Sequence, residues 1–200
     1  GKNLIGVFQH PSRVLVDLQA IRSIPDDLLI QGSAEALKAG FIGDPELVDL
    51  YREHGIGAPL QQVIERAIGV KARIVSQDFR EGGVRAFLNY GHTVGHAVEV
   101  AGSISHGAAV AIGMVAAGLV GERTVGFERR SEQEELITAL GLPIRAPTVE
   151  RAEIVRLMAL DKKRDAGGVR FVVLEDFGVP RVVHPDDATV RDSLHAIGID

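Results

Sequence analysis

Three histidines fall within a short stretch of the chain, and their spacing is the strongest indication of chemistry in the sequence. His92 and His96 lie in the segment NYGHTVGH, and His106 follows in the next segment. On a helix, positions i and i+4 share one face, so His92 and His96 are predicted to project together, with Asn89 one turn earlier. A lone helical histidine is more often an ordinary residue satisfied by backbone partners. Three so close together, flanked by glycines, favour a functional site.

Residues that the sequence lacks exclude some kinds of catalytic and metal-binding site. Thr93 occupies the position at which the helical motif of zinc proteases places its glutamate general base, so a protease of that kind is a poor match. The chain contains no cysteine, which excludes disulfides and thiolate metal sites. Any bound metal ion must therefore be held by histidine, aspartate and glutamate side chains.

Other charged residues are spaced so that their side chains could contact the same ligand. Glu35 and Lys38 lie one helical turn apart in the segment GSAEALKAG, among small or apolar neighbours. Arg85 and Asn89 are also one turn apart, and residues 161–163 form an Asp-Lys-Lys run. Each group has an ordinary alternative, an ion pair or charged patch on a solvated surface.

Lys71 is harder to assign to a solvated surface. A helix predicted over 59–77 has an apolar face with a period near 3.6, and Lys71 falls in phase with it, between Ile64 and Ile74. Removing an ammonium group from water is costly unless an anion compensates for it. The pattern therefore predicts a buried lysine with an anionic partner.

The elements that must position these residues are mostly helices. Apolar periodicity, Pro and Gly punctuation and capping residues predict a mainly α, multi-helix domain with a short N-terminal strand and a small β-hairpin near the C-terminus. A long segment rich in Ala and Gly is predicted to be the central buried helix, and Asp44 is expected to cap the helix that follows it. The predicted helices cover 26–39, 45–53, 59–77, 89–100, 107–120 (the central one), 131–140, 149–160 and 186–196, and the predicted strands cover 13–18, 169–174 and 179–183.

Composition places the chain among soluble globular proteins. Of its 200 residues, 46% are hydrophobic and 24% are charged, and the net charge is -5. The basic residues are scattered rather than clustered, which argues against nucleic acid as a partner. The sequence shows no secretory signal and no apolar run long enough to span a membrane, so we expect no membrane partner and a cytoplasmic location. The absent initiator methionine suggests a processed, cut or fragmentary chain.

Several motifs, in their order along the chain, resemble those of the 3-dehydroquinate synthases, members of the sugar-phosphate cyclase superfamily. They are GKN near the start, GxAExxK, a helical lysine, RxxxNxGHTxGHA, HGxxVxxG and MxxDKK, and they extend from Lys2 to about Leu174. The resemblance implies the helical C-terminal domain of the dehydroquinate synthase-like fold. It also implies that the family's α/β nucleotide-binding domain is missing, with residues 1–24 as its tail and 25–200 as the metal- and substrate-binding domain.

The resemblance also implies roles for individual residues. Glu35, His92 and His106 resemble the family's ligands of one catalytic divalent metal ion, a set that suits zinc, with cobalt as a substitute. Residues for NAD would lie mostly in the missing domain. Catalytic contacts with the substrate are implied for Lys38, Lys71, Arg85, Asn89 and His96, and further substrate contacts for Lys2, Asn3, Lys162 and Lys163, with Lys162 favoured over Lys163.

The activity implied is that of a phosphate-eliminating carbon–oxygen lyase of the shikimate pathway, which leads to aromatic amino acids. Such an enzyme converts 3-deoxy-D-arabino-heptulosonate 7-phosphate into 3-dehydroquinate with bound NAD and a divalent metal ion, and a homodimer is expected. The isolated chain is expected to be inactive without the nucleotide-binding part. Other sugar-phosphate cyclases, above all aminodehydroquinate synthase, stay open, as does a non-catalytic helical remnant that binds metal. The chain departs from the family pattern at Ser33 and Ala108, neither of which is an implied ligand.

Overall fold

The structure, a computed structural model, describes residues 11–78, 83–161 and 169–200. Within them the chain is mainly helical with one two-stranded antiparallel sheet, which confirms the predicted fold class. Four predicted substrate residues, Lys2, Asn3, Lys162 and Lys163, lie outside the described residues. The helices are α1 Leu18–Arg22, α2 Asp26–Gly43, α3 Pro45–His54, α4 Leu60–Gln77, α5 His92–Gly102, α6 His106–Val125, α7 Arg130–Ala139, α8 Arg151–Asp161 and α9 Asp187–Ala196, with 3-10 helices at Gly55–Gly57 and Val84–Asn89; the strands are β1 Phe171–Asp176 and β2 Val179–Val183.

Helix α6 is the centre of the core, as the Ala- and Gly-rich segment predicted. It packs against α2, α5, α9 and β1. The prediction that no apolar run is long enough to span a membrane is wrong for this helix, which has the necessary length and composition. Most of it is buried inside the protein, as expected of a core helix. Its glycines allow close approach of neighbouring backbones. A Cβ atom added at Gly113 would lie 1.8 Å from the carbonyl oxygen of Gly91, and one added at Gly107 would lie 2.3 Å from that of Gln31. These contacts hold α5 and α2 against α6.

The hairpin forms as predicted and covers one side of α6. Strand β1 pairs antiparallel with β2, with Phe171 opposite Val183 and Leu174 opposite Pro180. Gly178, in the turn, has a φ of 84°, a conformation that glycine adopts without strain. The first four residues of β1 are buried, whereas β2 is more exposed.

The predicted N-terminal strand is wrong for the residues that the structure describes. Residues 11–17 have no regular secondary structure, and α1 begins at Leu18, with the carboxylate of Asp17 accepting hydrogen bonds from its first turn. Val14 and Leu15 are 70% and 84% exposed. A strand needs a neighbour to satisfy its backbone groups, and within the described chain β1 and β2 pair only with each other. The β-branched run alone therefore does not determine a strand.

The predicted capping role of Asp44 is also wrong. Asp44 stands at the N-cap position of α3 but makes no side-chain hydrogen bond to that helix. Its carboxylate instead accepts two hydrogen bonds, of 3.0 and 2.9 Å, from the guanidinium group of Arg66 on α4. A charged guanidinium group competes with the backbone N–H groups for the same oxygens.

Candidate metal centre and adjoining cavity

Three helices bring the predicted metal ligands to one point. Glu35 lies in the middle of α2, whereas His92 and His106 are the first residues of α5 and α6. Oε1 of Glu35 is 3.4 Å from Nε2 of His92 and 3.5 Å from Nε2 of His106. In a tetrahedral zinc site with bonds of about 2.1 Å, two ligand atoms lie about 3.4 Å apart. The spacing of the three side chains therefore matches that of ligands to a single ion.

A glycine sets the position of His92. Gly91 has a φ of 77° and separates the 3-10 helix Val84–Asn89 from α5. A Cβ atom at Gly91 would lie 2.9 Å from the carbonyl oxygen of Val110, so a larger residue would disturb the contact with α6. The predicted start of this helix at residue 89 is wrong, because the chain turns at Gly91. Asn89 precedes the turn and does not share a helical face with His92, although it lines the same cavity.

Hydrogen bonds at Nδ1 determine which nitrogen of each imidazole is free to bind a metal ion. Nδ1 of His92 is 3.1 Å from the carbonyl oxygen of Tyr90, and Nδ1 of His106 is 2.9 Å from Oε2 of Glu99. Since a carbonyl or carboxylate oxygen accepts, each Nδ1 carries the hydrogen and each Nε2 presents a lone pair. Oε1 of Glu35 is buried and has no hydrogen-bond partner among the described residues. Three lone-pair donors thus face one another, an arrangement that suits a divalent cation.

The electrostatics of the site favour the metal-binding protonation states. Burial alone would raise the pKa of Glu35. The ammonium group of Lys38, which donates a 2.8 Å hydrogen bond to Oε2, together with the nearby His92 and His106 outweighs burial, so the pKa of Glu35 lies below its ordinary value. Burial, reinforced by the charge of Lys38, lowers the pKa of His92 to about 4. At neutral pH the carboxylate is therefore ionised and the imidazole of His92 is neutral, as metal coordination requires.

Replacing Lys38 by methionine should raise the pKa values of both Glu35 and His92 in the metal-free protein. The substitution removes the ammonium group that stabilises the carboxylate and opposes protonation of His92, while burial remains. NMR titration of the two side chains measures the shifts. Lys71→Met is the matched control, because Lys71 is exposed and is not among the causes of either shift. Unchanged pKa values in Lys38→Met would contradict this description.

A cavity of about 580 Å³ opens beside the three ligands. The predicted catalytic residues that the structure describes all line it, and three of them, Lys38, Lys71 and Arg85, carry positive charge at neutral pH. Such a wall suits a substrate with more than one anionic group. The residues in question are Lys38, Lys71, Arg85, Asn89 and His96.

Lys71 differs from its predicted environment. It is exposed, and the buried residues of α4 are Val63, Val70 and Ile74. The apolar face is wider than the surface that packs in the core, and three of its other residues, Ile64, Ala67 and Ile68, line the cavity. The prediction that Lys71 is buried is therefore wrong. Its ammonium group stays in water at the cavity wall and needs no buried anion.

Two contacts at the site were not predicted from the sequence. Glu99 binds His106, and its place on α5, three residues after His96 and in phase with it, is the sequence feature that indicates this. Tyr90, which is fully buried, donates a 2.7 Å hydrogen bond to Oε1 of Gln133, whose amide nitrogen donates to the carbonyl oxygen of Met114. Gln133 thereby anchors the residue whose carbonyl group holds His92.

Comparison with known proteins finds one family whose sequences this chain matches. The model of the family described as 3-dehydroquinate synthase C-terminal matches residues 32–164. The curated relatives include 3-dehydroquinate synthases of Corynebacterium jeikeium (41% identical), Corynebacterium pseudotuberculosis (40%) and Thermobifida fusca (39%). Each alignment covers 98% of this chain and 56% of the relative. The chain thus spans about half the length of the curated relatives it matches.

The solved structures of similar fold include two synthases with other names. A 2-epi-5-epi-valiolone synthase from Streptomyces hygroscopicus subsp. jinggangensis, with NAD+ and Zn2+ bound, has a TM-score of 0.83 at 22% identity, covering 98% of this chain and 58% of that one. A 2-deoxy-scyllo-inosose synthase, complexed with carbaglucose-6-phosphate, NAD+ and Co2+, has a TM-score of 0.80 at 24% identity, covering 97% and 59%. At such identities the likeness shows the fold alone.

Proposed function

Since the chain belongs to the 3-dehydroquinate synthase C-terminal family, we propose that it is the metal- and substrate-binding part of a 3-dehydroquinate synthase. The complete enzyme would convert 3-deoxy-D-arabino-heptulosonate 7-phosphate into 3-dehydroquinate and phosphate, as a carbon–oxygen lyase of the shikimate pathway. The observation that carries the proposal is the convergence of Glu35, His92 and His106 beside a cavity with three cationic side chains. Relatives of that name at about 40% identity support the substrate.

Glu35, His92 and His106 would hold one divalent metal ion, zinc or cobalt, through Oε1 and the two Nε2 atoms. The solved synthases of the same fold, with Zn2+ or Co2+ and NAD+, support this choice. A divalent ion so held supplies Lewis-acid polarisation of substrate hydroxyl groups, and NAD supplies a reversible acceptor of hydride. The NAD site would lie mostly in a separate nucleotide-binding domain, so the isolated chain is proposed to be inactive.

The chain's own side chains would bind the substrate and stabilise its leaving group. Lys38, Lys71 and Arg85 line one cavity, where their charges would hold the phosphate and the carboxylate and stabilise the departing phosphate dianion. Asn89 and His96, on the same wall, would offer further hydrogen-bonding groups to the substrate hydroxyls. Fixing a flexible sugar chain at several points favours the conformer that can close into a ring.

The remaining parts of the proposal concern the complete enzyme. Lys2, Asn3, Lys162 and Lys163 stay predicted substrate contacts. A homodimer in the cytoplasm, without nucleic acid or membrane as a partner, is proposed on the family resemblance and on the scattered basic residues of the sequence. Aminodehydroquinate synthase is the nearest alternative activity, because its substrate would fit the same metal ligands and cationic cavity.

The proposal is tested by measuring phosphate release. The chain would be combined with the nucleotide-binding half of a curated relative, NAD and Zn2+, and offered 3-deoxy-D-arabino-heptulosonate 7-phosphate, glucose 6-phosphate or sedoheptulose 7-phosphate. We expect release from the first, which carries a carboxylate, and none from the sugar phosphates that lack one. The chain alone should release none. Release only from a sugar phosphate without a carboxylate would overturn the assignment, as would no release when the relative's own two halves, recombined in the same way, are active.

A further inference from the structure

Glu99 stands directly behind one of the candidate ligands. Its Oε2 atom is 2.9 Å from Nδ1 of His106, on the side of the imidazole ring away from Glu35. Both side chains are partly shielded from water, with exposures of 33% for Glu99 and 38% for His106. The carboxylate thus contacts the ring atom that does not face the proposed metal ion.

The local fold explains how a residue of α5 reaches the first residue of α6. Glu99 lies seven residues after His92, so it falls on the same face of α5, two turns further along. The chain then reverses through Ser103, the one non-glycine residue with positive φ in the described parts of the chain. This tight turn places His106 next to the helix that carries Glu99.

We propose that Glu99 is a positioning residue that orients His106 and fixes its tautomer, so that Nε2 presents its lone pair to the metal ion. The inference rests on the metal centre of the proposed function. A carboxylate that accepts the Nδ1 hydrogen holds the ring plane and makes the opposite nitrogen a stronger electron donor, and losing such a partner commonly weakens metal binding about 10- to 100-fold.

His106 needs such a partner more than His92 does. His92 is held by the carbonyl group of Tyr90, a fully buried residue anchored through Gln133. The side chain of His92 is 13% exposed, against 38% for His106. A ring that is less enclosed by packing has more orientations available to it, so a charged acceptor contributes more to its order.

A second cation position is the rival explanation of the same residues. His96, Glu99 and His106 also offer ligand atoms within 4.8 Å of one another. His106 belongs to both groups, however, and its Nδ1 lies at hydrogen-bond distance from Glu99, closer than the ~3.4 Å that separates two ligands of one tetrahedral ion. The geometry therefore favours a proton rather than a metal ion between Glu99 and His106.

The test compares Glu99→Ala and Glu99→Gln with the wild-type chain. Zinc affinity and stoichiometry are measured by competition with a chromophoric chelator, and the tautomer of His106 is measured in the metal-free chain by NMR of its ring nitrogens. Glu122→Gln is the matched control, since Glu122 lies on α6 and its carboxylate also contacts a side-chain nitrogen atom, Nε of Arg130, at 2.8 Å. Circular dichroism checks that each variant is folded.

We expect Glu99→Ala to bind one zinc ion about 10- to 100-fold more weakly, and its His106 to lose the preference for hydrogen on Nδ1. Glu99→Gln, whose amide oxygen still accepts, should keep the tautomer and lose less affinity, and Glu122→Gln should match the wild type. The inference is overturned if the tautomer and the affinity are unchanged in Glu99→Ala, or if that variant loses a second zinc ion while keeping the first. A wild-type chain that binds no zinc would refute the metal centre, and the tautomer would still decide the role of Glu99.

Discussion

Zinc binding is expected to weaken by on the order of 100-fold or more in Glu35→Ala and in His92→Ala. Each substitution removes one of three converging donors, a direct ligand, so the loss should exceed the roughly 10- to 100-fold typical of residues that only support a ligand. Oε1 of Glu35 lies 3.4 and 3.5 Å from the two imidazole nitrogens, and no other carboxylate of the described residues forms a possible ligand group with both His92 and His106. Equilibrium dialysis followed by metal analysis measures the effect.

A histidine elsewhere on the surface provides the control for this measurement. His195→Ala removes an imidazole from α9 whose side chain is 75% exposed, and it should leave zinc binding unchanged. Glu35→Ala also leaves the buried ammonium group of Lys38 without its carboxylate, so its folding must be checked separately, whereas His92→Ala carries no such charge penalty. Wild-type zinc content in both ligand variants would refute the three-ligand centre.

Gly113→Ala should destabilise the fold by at least about 3 kcal/mol, at or beyond the upper end of the usual range for overpacking. The added Cβ would lie 1.8 Å from the carbonyl oxygen of Gly91 and 2.8 Å from the backbone nitrogen of Gly95. Both are backbone atoms, so the strain is relieved only if α5 moves away from α6. Because these helices carry His92 and His106, zinc affinity should fall as well. Urea unfolding measures the change in stability.

Gly69→Ala on α4 is the matched substitution. A Cβ atom there would meet nothing within 4 Å among the described residues, and alanine is favoured over glycine in a helix by about 0.5–1 kcal/mol. This variant should therefore be as stable as the wild type or more so. A Gly113→Ala protein within about 1 kcal/mol of the wild type would contradict the close packing of α5 on α6.

Periodicity was enough to predict most of the fold, because helix α6 and the hairpin are determined by local patterns of apolar and turn residues. The errors arise where the structure of a segment depends on the residues that pack against it. Residues 13–18 have the composition of a strand but no neighbouring strand within the described chain. Lys71 is in phase with an apolar face, yet part of that face lines a cavity rather than the core. One-dimensional patterns do not distinguish these environments.

The sequence predicted which residues of the candidate site would come together, but not the contacts that hold them in place. The motifs around Glu35, His92 and His106 identify a family, and the fold brings all three together. The separation of Asn89 from α5 depends on the positive φ of Gly91, which spacing alone does not reveal. Glu99 reaches His106 only because the chain reverses between them, so its contact depends on the geometry of the turn.

The location of a bound zinc ion tests the central claim most directly. Anomalous diffraction at the zinc edge, from crystals of the chain loaded with Zn2+, would place the ion relative to the side chains. The expected result is one peak about 2 Å from Nε2 of His92, Nε2 of His106 and a carboxylate oxygen of Glu35. A peak elsewhere would contradict the proposed metal centre and the activity built on it. So would a crystal structure without a zinc peak in which these three side chains point away from one another.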